Sequence, residues 1–442
     1  MALTDIFGQR NIASACQLTS RGQRDSLTSG NTIMSQHLSL SRRVALKAAT
    51  CSAASLLISR RAGAIEPARP VDRGTVSAGN VQFPSIAAGS EASEKSAEPP
   101  LAPKDRVGFA VLALGRLSVQ QILPAFAQTK KCRLAALVSG SPEKMATLGE
   151  KYGVPQEGLY GYERFDEIAR NDDVKVVYIV LPNAMHREFV LRTAAAGKHI
   201  LCEKPMATSS EDAQAMIDAA ATARVKLMIA YRCRYEPHHL DLIRRARDGS
   251  LGPIKLIEAV NAQNQGDPAQ WRLKKAMAGG GALPDIGIYC LNAARAVTGE
   301  EPVEIEAQTY SSPNDERFRE VEESINWLMR FPSGALASLS SSYGAHRAAR
   351  LAVYLDKGGL ILENAFPYQG QQLFEVRAVE GADQRSQIKI AATDHFAREM
   401  DHMADCVLED ETPRTPGEEG LRDMLLMKAI YRAAGERRTI LL

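Results

Sequence analysis

The sequence predicts an α/β protein: a doubly wound parallel sheet, then an α+β domain on a large, mostly antiparallel, open-faced sheet. Three observations predict it. Between residues 105 and 230, apolar runs of five to eight residues alternate with helical stretches, as strands do when helices cover both faces of a parallel sheet. After residue 230 strand-like segments dominate and helices are few, which suits antiparallel pairing. The first apolar run opens into a glycine-containing turn at a helix start, where such a sheet binds phosphate-bearing ligands.

The elements follow in order. Strands are predicted at 107–112, 133–138, 174–181, 199–203 and 226–230. Between them lie helices at 119–126, 142–152, 165–171, 185–196 and 210–223. Pro124 is a candidate kink in the first helix, and Pro142 suits the first turn of the second. Gly197 closes the fourth, and Ser209 or Ser210 caps the fifth, with Glu211 and Asp212 in its first turn. The second half offers a helix at 238–248 ending at Gly249, then strands at 255–261, 303–310, 324–331, 335–343, 349–355, 359–362 and 373–379. A Gly-rich turn and helix interrupt at 278–296, and helices at 395–408 and 420–434 close the chain. The division is a nucleotide-binding domain at 105–230 and a substrate and oligomerisation domain at 231–442.

The 442 residues, 45% hydrophobic and 24% charged, have the proportions of a soluble globular protein with two or three domains. A net charge of +2 hides a bias. Residues 1–64 carry eight basic and two acidic side chains, net +6, and the rest of the chain carries 46 and 50, net −4. The mildly acidic body argues against nucleic acid as a partner.

The basic excess reads as an address. Ser41-Arg42-Arg43-Val44-Ala45-Leu46-Lys47 has the form of a twin-arginine export motif, followed by an uncharged run at 48–59 and the small residues Ala62-Gly63-Ala64. The run is too short to span a bilayer core of about 30 Å. A twin-arginine signal peptide over 1–64 is expected, with the export machinery as partner, a periplasmic destination and no stable membrane anchor. A surface helix or anchor is the alternative, and Met1 and Met34 are both open as the start. Export of a folded chain suits a protein that takes up a cofactor first. Residues 65–104 hold six of the 21 prolines and few large apolar residues. A plain linker and an arm lying on a partner subunit are both open there. Five cysteines follow residue 64 without a CxxC pair, so no disulfide framework is expected.

Two constellations carry chemistry. Ala113-Leu114-Gly115-Arg116-Leu117-Ser118 is a G-x-G-x-x-G turn that keeps only its second glycine, the one that lets the backbone approach a pyrophosphate. At the next strand end Ser139, Gly140 and Lys144 stand where an NAD site places an acid. A hydroxyl and an ammonium suit the 2′-phosphate of NADP, with Glu143 opposing that reading and a solvated helix lysine as the bland alternative. Glu203-Lys204-Pro205 ends the fourth strand, at the carboxyl edge where ligands bind. Beside a positively charged nicotinamide the Lys204 pKa should fall, leaving it able to orient or protonate a substrate oxygen. No HExxH or paired CxxC is present, and no metal site is expected.

Glu203-Lys204-Pro205, preceded by Leu181-Pro182-Asn183 and His186, resembles the Gfo/Idh/MocA oxidoreductase family over residues 105–442. The resemblance tightens towards its glucose-fructose oxidoreductase subgroup through Tyr231-Arg232-Cys233, Gln270-Trp271-Arg272-Leu273 and Gly279-Gly280-Gly281 leading into Asp285-Ile286-Gly287-Ile288-Tyr289. It implies a Rossmann-type first domain with NADP. It implies Lys204, Asp285 and Tyr289 as the catalytic set, and Leu181, Pro182, Asn183, His186, Glu203 and Lys204, with Tyr162, Arg232, Trp271 and Arg272, at the cofactor. Tyr289 would take the anomeric proton of an aldose and later return it to a ketose, the precedent being glucose to gluconolactone and fructose to sorbitol with NADP retained. Beside Lys204 or an oxidised nicotinamide the Tyr289 pKa should drop. A dehydrogenase with exchangeable NADP, a silent sugar or nucleotide sensor, and a core role for Tyr289 remain open. So does the size of a homo-oligomer, dimer or tetramer, suggested by the large sheet face and the arm.

Overall fold

A computed structural model describes residues 74–83 and 105–442. The export segment predicted at 1–64, Met34 and most of the proline-rich arm lie outside the described residues. The described part of the arm is a hairpin of β1 (Thr75–Ser77) and β2 (Asn80–Gln82). It packs on α2 (Pro142–Tyr152) of the same chain, and Val81 joins the core beneath. Residues 74–83 are thus ordered on their own chain, and the linker and arm expectations for residues 65–73 and 84–104 fall outside the described residues. Sequence reading missed the hairpin because three-residue polar strands show no periodicity.

The parallel sheet contains β3 (Val107–Leu112), β4 (Cys132–Val138), β5 (Leu159–Tyr160), β6 (Val176–Ile179), β7 (His199–Glu203) and β8 (Leu227–Ala230), in the order β5-β4-β3-β6-β7-β8. The chain reverses direction across the sheet between β3 and β6, and a crevice opens there at the strand ends. Every residue of β3 and β6 is buried, as continuous apolar runs require when helices cover both faces. The helices are α1 (Leu123–Ala125), α2, α3 (Asn183–Ala195) and α4 (Ser210–Ala223). Ser209 caps α4 by accepting from the Asp212 N–H.

One predicted helix differs. In place of a regular 119–126 helix, a widened π turn over Ser118–Ile122 leads into α1 and a tight 3₁₀ turn over Phe126–Gln128. Pro124 has no N–H for the regular ladder, so the backbone bonds around it shift partners.

The second sheet joins β9 (Ile254–Gln263), β10 (Glu304–Tyr310), β11 (Ser324–Arg330), β12 (Leu336–Ser342), β13 (Arg347–Leu355), β14 (Gly358–Glu363), β15 (Gln372–Val379), β16 (Ala382–Ile388) and β17 (Ile440–Leu441). Their order is β16-β15-β14-β13-β9-β12-β11-β10-β17, antiparallel except for β9 beside β12. In β11, Ile325, Trp327 and Met329 face the core while Asn326, Leu328 and Arg330 face outward. That alternation made most of these strands readable. The exception is β16, whose ADQRSQI is almost wholly exposed and carries no apolar face.

The remaining helices are α5 (Pro237–Arg247), α6 (Lys275–Ala278), α7 (Ile288–Thr298), α8 (His395–Leu408) and α9 (Gly417–Glu436). Phe396, Met400 and Met403 of α8 return to the parallel sheet and pack with Phe109 and Tyr178. In turn α9 touches α4, β8 and β10, and so ties the two sheets together. Both sheets send side chains into one continuous core, which holds the strand ends of the first against α7 and β9 of the second.

Candidate active site

A pocket opens where the carboxyl ends of β3, β6 and β7 meet α7, β9 and β13. Its nucleotide wall is the turn after β3. Ala113 takes φ +79°, the left-handed backbone that the first glycine of the motif would supply. Leu114 points into the core and is fully buried. A Cβ added at Gly115 would meet nothing within 4 Å, so the backbone there faces an open cradle. Arg116 and Leu117 line the pocket, and the Arg116 guanidinium lies 5.4 Å from the centre of the Phe83 ring. The Ser118 hydroxyl donates to Ala113 O at 2.6 Å and closes the turn from beneath. The missing third glycine is thus replaced by a side-chain tie.

The second strand end is arranged beside this turn, outside the pocket lining. Ser139 is buried and its hydroxyl accepts from the Ser141 N–H at 3.1 Å, while Gly140 is exposed. Lys144 is only 1% exposed, and its ammonium donates to Leu114 O at 3.4 Å. Burial lowers its pKa to about 8. This is no solvated helix lysine. Glu143, its neighbour, is exposed and points away.

Leu181, Pro182 and Asn183 line the pocket at the end of β6, and Asn183 donates its amide to Ala278 O at 2.8 Å. Two residues expected at the cofactor stand elsewhere. The His186 ring nitrogens lie 3.0 Å from Pro205 O and 2.8 Å from Leu181 O, in full burial. It braces the turn after β7 against the turn after β6 and does not line the pocket. Tyr162 is buried with its ring 5.6 Å from that of Phe189, again off the lining. A buried polar ring suits packing as well as ligand binding, and sequence alone does not separate the two.

The chemical wall brings the remaining expected residues together. Lys204 donates its ammonium to the backbone carbonyl of Asp285 and lies 3.4 Å from the Asp285 carboxylate. The same ammonium is 4.5 Å from the centre of the Tyr289 ring. The Tyr289 hydroxyl accepts from Arg232 Nε at 3.1 Å. The Arg232 guanidinium is sandwiched 4.7 Å from the Tyr289 and Tyr368 rings and also donates to Phe366 O. Arg272 Nε sits 3.1 Å from Asp285, with its guanidinium over Trp271. Glu203 lines the pocket and accepts from the Tyr178 hydroxyl at 2.9 Å.

In the protein alone, the two pKa values expected to fall beside a nicotinamide stand above their ordinary values. Burial pushes the Tyr289 phenol up, and the nearby Arg232 and Lys204 cations only partly oppose it. Burial acts to lower Lys204, but the facing Tyr289, Asp285 and Glu203 outweigh it, so its pKa rises too. Within the protein itself both groups hold their protons more firmly than usual. For Asp285, burial is outweighed by Arg272 and Lys204, which bring its pKa to about 2. Sequence reasoning missed two contributors. Tyr343 donates to the Asp285 carboxylate at 2.6 Å from the end of β12, and Phe83 of the arm hairpin lines the pocket. Both lie in stretches read only as strand or linker.

An open cradle at Gly115 at the end of β3, with cations and carboxylates across the pocket, fits a pyrophosphate-linked dinucleotide. Comparison with known proteins gives the lineage. Residues 107–231 match the model of an oxidoreductase family with an NAD-binding Rossmann fold, and residues 239–361 match the GFO/IDH/MocA C-terminal domain. A D-xylose 1-dehydrogenase [NADP(+)] of Haloarcula marismortui is 31% identical over 76% of this chain and 92% of its own. The chain belongs to the Gfo/Idh/MocA oxidoreductase family. The crystal structure of an aldose-aldose oxidoreductase from Caulobacter crescentus is 45% identical, with a TM-score of 0.74, over 76% of this chain and all of that one. A second D-xylose 1-dehydrogenase, from Haloferax volcanii, is 28% identical over 74% of this chain and 97% of its own. The expected family, the Rossmann-type sheet and the large mixed sheet are thereby borne out.

Proposed function

We propose that the protein is a periplasmic sugar oxidoreductase that retains NADP, oxidises an aldose at C1 to its lactone and returns the hydride to a second sugar. The observation that carries this reading is the convergence of Lys204, Asp285 and Tyr289 on one pocket wall facing the Gly115 cradle. Support for NADP over NAD is the inward Lys144 and outward Glu143 beside the cradle. The likeness to an NADP-dependent xylose dehydrogenase adds to it. Support for export is the twin-arginine segment. Support for a homo-oligomer is the outer face of the large sheet, where Leu256, Leu328 and Leu336 are 46%, 51% and 48% exposed.

NADP bound here supplies the hydride acceptor and a positive charge next to Lys204 and Tyr289. Tyr289 Oη, as the phenolate that Arg232 Nε steadies from 3.1 Å, takes the proton of the anomeric hydroxyl and becomes the neutral phenol. Lys204 donates to the sugar oxygen, oriented by its bonds to Asp285. Asp285 stays ionised between Arg272, Lys204 and Tyr343 and fixes their geometry. In the return half Tyr289 gives its proton to the carbonyl oxygen of the acceptor.

A ketose is the acceptor expected from sequence. The 45% identity to an aldose-aldose oxidoreductase favours a second aldose instead, and the same residues serve both. Tyr289→Phe tests the reading. Single-turnover reduction of NADP by an aldose should fall by about 10²- to 10⁴-fold, with NADP still bound. Bound NADP that no aldose reduces, with Tyr289→Phe behaving like wild type, would support the silent sensor.

A further inference from the structure

Glu399 of α8 is a fully buried carboxyl outside the pocket lining. The hydroxyl of Tyr178 stands between it and Glu203, donating to Glu203 at 2.9 Å and lying 3.4 Å from Glu399 Oε2. The other oxygen, Oε1, has no hydrogen-bond partner among the described residues. Glu203 in turn precedes Lys204 on the pocket wall.

One hydroxyl proton cannot satisfy two ionised carboxylates. Two such charges sharing a dry site are costly, and a buried carboxylate oxygen with no donor is costly again. The first cost vanishes and the second falls if one carboxyl is neutral, since an uncharged oxygen loses less than a charged one by lacking a donor. Burial raises the Glu203 pKa, but Glu203 has the shorter bond from Tyr178 and both the Lys204 and Arg232 cations opposing that rise, so it is the anion. Glu399 is then the acid. The groups facing Glu399 are Tyr178 from β6, Glu203 from β7, and Arg232, Cys233 and Tyr235 from the turn after β8. His395 lies one turn earlier on its own helix. Among these only Arg232 is a fixed cation, and it is already engaged by Tyr289 and Phe366.

We propose that Glu399 is a positioning residue: a neutral acid that, with Tyr178 and the ionised Glu203, forms a buried proton-sharing unit setting the charge and orientation of Lys204. The inference rests on the role assigned above to Lys204. A second anion behind the wall would draw the Lys204 ammonium towards it. The proton on Glu399 removes that anion and leaves the ammonium directed at Asp285 and the sugar oxygen. Burial drives Glu399 well above the ordinary carboxyl range, with the adjacent Glu203 charge in the same direction, which agrees with the geometry.

The test uses the purified holoenzyme. The infrared carbonyl stretch of a protonated carboxyl should be present at neutral and mildly alkaline pH, shift in D₂O and disappear in Glu399→Gln. In kinetics, Glu399→Leu should lower the aldose-oxidising kcat about ten- to a hundredfold and displace its pH profile. Glu399→Gln, which copies the neutral acid, should restore most of the rate and the wild-type profile. A missing band, or a band that survives in Glu399→Gln, would overturn the inference whatever the activity. So would equal losses in the Leu and Gln variants. A band that behaves as expected in a protein inert towards every aldose would leave the proton on Glu399 and remove the reaction.

Discussion

At the scale of residues, the site is governed by the contest between burial and neighbouring charge. Tyr289 touches two cations, yet burial keeps its phenol protonated above the ordinary tyrosine value of about 10. Aldose oxidation requires that proton to leave. Its rate should therefore climb steadily from about pH 6 to about pH 9, and sugar reduction, which needs the phenol protonated, should stay flat across the same range. Rapid-mixing measurement of both half-reactions checks this, and a fall in the oxidation rate across that range would contradict it. Glu203-Lys204-Pro205 was legible in the sequence as a lysine at a strand end, Asp285 and Tyr289 were expected from the family resemblance, and the structure brings the three side chains to one wall. The directions of the two pKa shifts were not legible, because burial depends on how α7 and the second sheet close over the strand ends. The same limit applies to His186. The family resemblance suggested a ligand contact, while the carbonyls that surround it come from two separate turns.

At the scale of elements, the turn after β3 keeps its shape without two of its glycines. Ala113 accepts the left-handed backbone, and Ser118 replaces a close packing contact with a hydrogen bond. Such a turn needs help in holding a nucleotide, and the arm hairpin places Phe83 against Arg116 at the pocket mouth. Phe83→Ala should speed loss of NADP on dialysis by about tenfold, in line with roughly 1–2 kcal/mol for a lost aromatic contact. The kcat at saturating NADP should be unchanged. Retention equal to wild type would show that the hairpin plays no part in holding the cofactor. The long apolar strands of the parallel sheet and the alternating strands of the second were readable because each has one dominant environment. The hairpin and β16 were not, since an exposed polar strand has no periodic signature.

At the scale of the whole molecule, the charge split at residue 64 sets off the segment proposed as an export address, and the body after it depends on its C-terminal helices for closure. Arg295 of α7 is buried against Glu301, Glu419 and Asp423, the last two from α9. Arg295→Met would leave the fully buried Asp423 without its cation, while Glu419 keeps Arg234 at 3.0 Å, a cost of about 3–5 kcal/mol. Thermal unfolding should show it as a clearly lowered Tm, and a change of less than about 1 kcal/mol would mean that water or Arg234 takes over. Because α9 touches both sheets, the loss should also loosen the pocket between them.

The central claim is that one pocket holds NADP and runs both halves of a sugar exchange without releasing it. Its most direct test is the absorbance of the purified, dialysed protein as glucose and then fructose or a second aldose is added. The account predicts growth of the reduced-nicotinamide band on the first addition and its loss on the second. A protein that shows no such band with any aldose would contradict it.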